Sequence, residues 1–180
     1  ATEKLLNPLL FGLQVKDKIP PSVSNVWVVP LNDSSWVNGA RIPVSLETKG
    51  GGLKTTALPN VYGDVGFAIT TVDMLDGNSN RCGIYRIEFF VDGLQVYGQR
   101  MDRLDFATNR AMNAHTIYER FKKDRSSIHG SYRLPGNPLD IYDNLVNDGV
   151  ISFRDGKVHV CEYRLLDIMG NETRVKFSVQ

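Results

Sequence analysis

The sequence predicts a mainly β fold, an immunoglobulin-like antiparallel β-sandwich with one inserted helix. Three observations predict it: apolar and polar residues alternate with period two in several separate runs, turn-forming residues divide those runs, and a single stretch has helical spacing instead. Ala40, Ile42, Val44 and Leu46 alternate with Arg41, Pro43, Ser45 and Glu47. Val65, Phe67 and Ile69 mark one face of a second strand. Tyr85, Ile87, Phe89 and Val91 mark a third, opposed by Arg86 and Glu88. Cys161, Tyr163 and Leu165 mark a fourth, and Val175, Phe177 and Val179 the last. Successive strand side chains point to opposite faces, so this rhythm belongs to sheets with one dry and one wet side. Val26–Val29 is apolar without interruption and reads as a buried strand.

Turn chemistry supports the division. Asp92-Gly93 lies between Tyr85–Val91 and Leu94–Tyr97, and Asp-Gly suits a type I′ hairpin because both central residues need positive φ. Met169-Gly170-Asn171 separates the last two strands, and Asp155-Gly156 precedes a strand beginning near Lys157. Gly50-Gly51-Gly52 is a loop without the Lys-Ser or Lys-Thr and helix of a phosphate cradle.

The helical stretch carries Ala107, Ala111, Ala114, Tyr118 and Phe121, with Asp105 available as N-cap. Lys122, Lys123 and Arg125 crowd its end, where cations suit the helix dipole. Together with the irregular run to Asn147 it forms an insertion at about 104–148. Asp17-Lys18-Ile19-Pro20-Pro21 holds the chain extended, so it marks a boundary between an N-terminal arm, 1–16, and the sandwich, 17–180.

Composition excludes several classes. Of 180 residues, 42% are hydrophobic and 23% charged, which is globular usage. Lys and Arg number 21 against 20 Asp and Glu, so no global positive field attracts nucleic acid. No apolar run approaches the roughly 18 residues of a spanning helix, and none is expected. Ala1-Thr2-Glu3-Lys4 lacks the basic start and apolar core of a secretory leader. For an exported protein, such a leader is expected upstream or already removed.

The chemistry-bearing residues are sparse. His115, His129 and His159 are far apart in sequence and form neither His-x-His nor His-Glu-x-x-His, so a zinc site would need all three to converge. Glu119 stands one turn beyond His115 on the predicted helix. Cys82 and Cys161 fall in separate strands: they pair if those strands are neighbours, or serve as small buried apolar residues. No Gly-x-Ser-x-Gly elbow occurs, and no sequence feature selects a glycosidase carboxylate pair. The densest polar cluster runs from Asp73 to Arg81. Asp73, Asp76, Asn78 and Asn80 offer hard oxygen donors around Gly77, the chemistry calcium takes, although the bidentate Glu of an EF-hand is missing. The alternative is an Asx-rich loop satisfying its own amides. Trp27 reads as core. Trp36 follows Asn32-Asp33-Ser34-Ser35 and is a candidate ligand-binding residue, or else a lid over the sandwich end.

Thr2-Glu3-Lys4-Leu5-Leu6-Asn7-Pro8-Leu9-Leu10-Phe11-Gly12 resembles the segment just after the last zinc-binding motif of lysostaphin-type metallopeptidases. Asp17-Lys18-Ile19-Pro20-Pro21 is similar to the Pro-Pro entry of bacterial immunoglobulin-like sandwiches. Asn80–Tyr85, Phe90-Val91-Asp92-Gly93 and Asp167-Ile168-Met169-Gly170-Asn171 resemble strands and the closing hairpin of a domain appended to one group of these peptidases. The family's His-x-x-x-Asp and His-x-His zinc ligands are not in this chain, so no catalytic residue carries over. The resemblance implies a non-catalytic accessory domain of an exported peptidoglycan peptidase, periplasmic or at the cell surface. Zinc is expected only in the upstream catalytic domain. Its implied partners are that peptidase domain and peptidoglycan. The alternatives are a carbohydrate- or wall-binding module using Trp36, and a stand-alone glycosidase with a carboxylate pair.

Overall fold

A computed structural model describes residues 4–13, 15–54, 58–77, 80–117 and 128–180. Its core is an antiparallel β-sandwich. The first sheet is built on β6 (Val61–Met74), which pairs with β2 (Ser22–Pro30) on one side and β11 (Ile128–Gly130) on the other. Beyond β2 lie β4 (Val44–Lys49) and β5 (Gly52–Leu53). Short strands β3 (Trp36–Val37), β7 (Arg81–Cys82) and β13 (Ile151–Phe153) also pair with β6. The second sheet runs β12 (Tyr142–Leu145), β9 (Leu94–Arg100), β8 (Arg86–Val91), β14 (His159–Leu166) and β15 (Glu172–Val179). Outside both, β1 (Lys4–Leu6) pairs with β10 (Arg103–Asp105).

The alternating residues meet between the sheets. Phe67 lies 4.7 Å from Phe89 and 6.0 Å from Phe177 by ring centroid, and Phe89 lies 4.4 Å from Tyr163. Phe67, Phe89 and Tyr163 are fully buried. Each such phenylalanine contributes about 1.5–3 kcal/mol relative to an exposed side chain. Val26–Val29 is apolar throughout because both faces of β2 are covered. Val26 and Val28 join the inter-sheet core, while Trp27 and Val29 pack outward on Ala68, Ile128, Ile117 and Tyr132. Tyr132 lies so close over Gly66 that a Cβ there would collide with its ring. The Asp92-Gly93 turn has φ of 50° and 82°, the positive pair expected of its hairpin.

Two expectations are corrected. Ala40 and Ile42 do not extend β4: Ala40 bridges Val37, Ile42 is exposed, and the strand begins after Pro43, which has no N–H for the ladder. The helix is also much shorter than its spacing suggested. Among the described residues it is α1 (Met112–His115), and at Thr116 the backbone becomes extended and bridges His129. Asp105 ends β10 and closes a turn through the Ala107 amide, instead of capping a helix. The helical pattern beyond residue 117, including Tyr118, Glu119 and Phe121, lies outside the described residues. The 104–148 insertion is therefore partly sheet, supplying β11 to one layer and β12 to the other.

Candidate functional site

Three carboxylates from distant parts of the chain converge at one end of the sandwich. Asp17 comes from the extended segment before β2, Asp73 from the end of β6, and Asp167 from the turn after β14. One oxygen from each lies within 4.8 Å of the others. Asp17 is 8% exposed, Asp73 5% and Asp167 3%. Local structure explains how each is held. Asp17 Oδ1 accepts the Ile19 amide at 3.0 Å, and the Asp17 carbonyl accepts from Asn171 Nδ2 at 3.2 Å. Asp167 Oδ1 accepts the Asn171 amide at 2.8 Å and Oδ2 accepts Asn171 Nδ2 at 2.6 Å, which ties the β14–β15 turn to the linker.

The electrostatics of this group are unfavourable as they stand. Among the described residues, Asp17 Oδ2 and Asp73 Oδ1 are buried with no hydrogen-bond donor. Burial first, and then the neighbouring Asp167 and Asp17 charges, push Asp73 up to about 6, and the Met74 amide only partly offsets them. Two like charges at such a separation repel by about 3 kcal/mol at an effective dielectric near 20. Asp73 also lines a largely apolar cavity of about 270 Å³ with Asn7, Leu9, Tyr85, His129 and Ile168, between the N-terminal arm and the sandwich.

Of the predicted calcium donors among the described residues, Asp73 alone joins this group. Asp76 is exposed and its Oδ1 accepts the Lys18 amide at 3.2 Å, fastening the loop to the linker one residue from Asp17. Asn80 is exposed, and Asn78 lies outside the described residues. Asp17 and Asp167 were missed because each sits in a pattern that reads as a boundary or a turn.

The other candidates fall elsewhere. His115 is buried and His129 half-buried, with ring centroids 5.8 Å apart. Burial pushes His115 down to about 3, with His129 adding to the effect, and burial alone pushes His129 down to about 4, so both rings are neutral at pH 7. His159 is remote from them, clamped between Asp155 and Asp92 at 3.0 and 2.7 Å. These carboxylates favour the charged imidazole and raise its pKa. Cys82 and Cys161 are both free thiols. Trp36 is half-buried on β3 and stacks on the exposed Tyr62, 5.8 Å apart and 17° from parallel, with Arg154 6.0 Å above the tyrosine.

Comparison of the chain with family models, with curated proteins and with solved structures finds no match. What the arrangement itself offers is an acidic, hard-donor pocket, an aromatic pair, and an apolar arm. Leu5, Leu6, Leu10, Phe11 and Leu13 of that arm are all exposed.

Proposed function

We propose that this chain is a non-catalytic accessory domain of an exported zinc peptidase that acts on peptidoglycan, and that it positions or regulates the attached catalytic domain. The immunoglobulin-like character of the sandwich belongs to the same reading. The observation that carries it is the arm. It is anchored, since β1 pairs with β10, the Asn7 amide donates to Asp102 and Asn7 Nδ2 donates to Met101. Yet Phe11 remains 68% exposed and Leu6 53%. An anchored segment that keeps large apolar side chains in water suits burial against another folded body. The same segment carries the resemblance to the stretch following a peptidase's last zinc motif, so the body it fits is that peptidase domain.

The test joins the chain at Ala1 to the polypeptide its own gene encodes upstream. A Gly-rich turn and His-x-His are expected there. In that protein, Leu6→Asp with Phe11→Asp should lower cleavage of cross-linked peptidoglycan at least tenfold without loss of bound zinc. An upstream sequence without those motifs, or an unchanged cleavage rate, overturns the proposal.

The Trp36–Tyr62 stack favours a second reading, a wall-glycan-binding module, because a partly exposed aromatic pair offers sugar rings a flat apolar face. Co-sedimentation with purified peptidoglycan that is lost in Trp36→Ala supports it. No retention of the unaltered chain removes it.

A further inference from the structure

The geometry points to a structural calcium site formed by Asp17, Asp73 and Asp167, which locks the linker and the β14–β15 turn onto the end of β6. Acidic residues commonly gather without binding an ion, so the proximity of the three carboxylates does not carry the inference by itself. The independent observation is that Asp17 Oδ2 and Asp73 Oδ1 are buried oxygens with no donor among the described residues, on side chains more than nine-tenths buried. Buried polar atoms are almost always satisfied, and a buried carboxylate oxygen without a donor calls for a cation.

The donor set selects the kind of cation. All three ligands are hard carboxylate oxygens, with no sulfur or imidazole among them, which disfavours zinc and copper. Calcium–oxygen distances of about 2.3–2.6 Å allow two ligands of one ion to stand as much as about 5 Å apart, and the three oxygens meet that limit as placed. Magnesium demands a tighter octahedron and keeps several waters, for which such buried side chains leave little allowance. Asn171 prepares the site: its side-chain amide donates to both Asp17 and Asp167, holding two ligands from segments about 150 positions apart. A carboxylate oxygen that accepts one hydrogen bond keeps lone pairs for a metal, so Asp167 serves both roles.

The competing account is a shared-proton carboxyl cluster with no ion, and the two differ in what they predict. The full chain, stripped with chelator, is melted with and without calcium chloride, and calcium binding is measured by calorimetry. At ten times its dissociation constant, calcium should raise the melting midpoint by about 3–6 °C. Magnesium at equal concentration should do markedly less. Asp73→Asn should abolish the calcium response while raising the calcium-free midpoint, because it removes a repelling charge. No calcium binding by the unaltered chain, an equal response to magnesium, or a calcium response that survives in both Asp73→Asn and Asp167→Asn overturns the assignment.

Discussion

Two groups of carboxylates sit on this sandwich, and they are treated in opposite ways. On the outer face of β8, β14 and β15, the buried Glu88 meets Arg86 at 2.8 Å and Arg164 at 3.5 Å. Arg164 continues to Glu172 at 2.6 Å, and Arg174 joins Glu172 and Glu162. Asp17, Asp73 and Asp167 are equally buried, but none of them forms an ion pair among the described residues, and no cation eases the raised pKa of Asp73. The first arrangement has its charge compensated within the chain by two guanidinium groups, although Glu88 Oε2 and Arg86 Nε make no hydrogen bond among the described residues. The second has no cationic side chain against it among the described residues. A carboxylate's burial alone therefore says little about function, whereas burial without a compensating partner singles out a site.

The largest expected effect comes from breaking the compensated group. Glu88→Gln keeps the shape but removes the charge between two guanidinium groups, and should destabilise the chain by about 2 kcal/mol. Arg86 and Arg164 are about one-third exposed, so water softens the loss below that of a fully buried pair. A melting midpoint lower by about 4–8 °C is the readout. If Glu88→Gln melts like the parent, the network contributes nothing and the contrast with the acidic triad collapses.

The opposite sign is expected for the uncompensated group. With chelator at pH 7.5, Asp73→Asn should stabilise by about 1–2 kcal/mol. The pKa of Asp73 is raised from about 3.8 unfolded to about 6 folded, so its charged form opposes folding above pH 6. Below about pH 4 it is protonated in both states, and the advantage of the variant should vanish. The groups facing Asp73 are Asp17 and Asp167, the Met74 amide, and, across the cavity, His129 and Tyr85. His115 and His129 act in the other direction. With folded pKa values lowered to about 3 and 4, they contribute stability above pH 6.5 that is lost as the pH falls. Only the difference between parent and variant melting curves, taken from pH 4 to 7.5, isolates Asp73. A difference that does not change with pH would show that its charge plays no part.

The same contrast explains what could be read from sequence. Strands such as Tyr85–Val91 were legible because apolar residues alternate with charged ones such as Arg86 and Glu88, and alternation is a local signal. Asp92-Gly93 was legible because positive φ constrains residue type within two positions. The insertion misled because the spacing of Ala107, Ala111 and Ala114 is not that of one helix: α1 ends at His115, Thr116 bridges His129, and the next residue, Ile117, packs with Tyr132 on the outer face of β2 and β6. The candidate site was one-third legible. Asp73 lies in an Asx-rich loop that suggests oxygen donors. Asp17 stands beside Pro20-Pro21 and looks like linker, while Asp167 begins Asp-Ile-Met-Gly-Asn and looks like the turn residue that it also is. Their convergence is set by how the two sheets pack, with 56 and 94 positions separating them from Asp73 along the chain.

The smallest effect separates burial from compensation. His159, with Asp92 and Asp155, is a compensated group like Glu88, but its two carboxylates are about half exposed. Its raised folded pKa means that the clamp contributes fully below about pH 6.5 and loses its contribution as the pH rises through the folded value. Solvent screening keeps that contribution small. The melting midpoint should therefore fall slightly from pH 6 to 8, with chelator present so that calcium does not contribute, and His159→Gln should flatten that slope. Adding 1 M sodium chloride should flatten it in the parent too, because salt screens exposed pairs far more than buried ones. A slope unaffected by either change would assign the pH dependence to other groups and leave the exposed clamp without energetic weight.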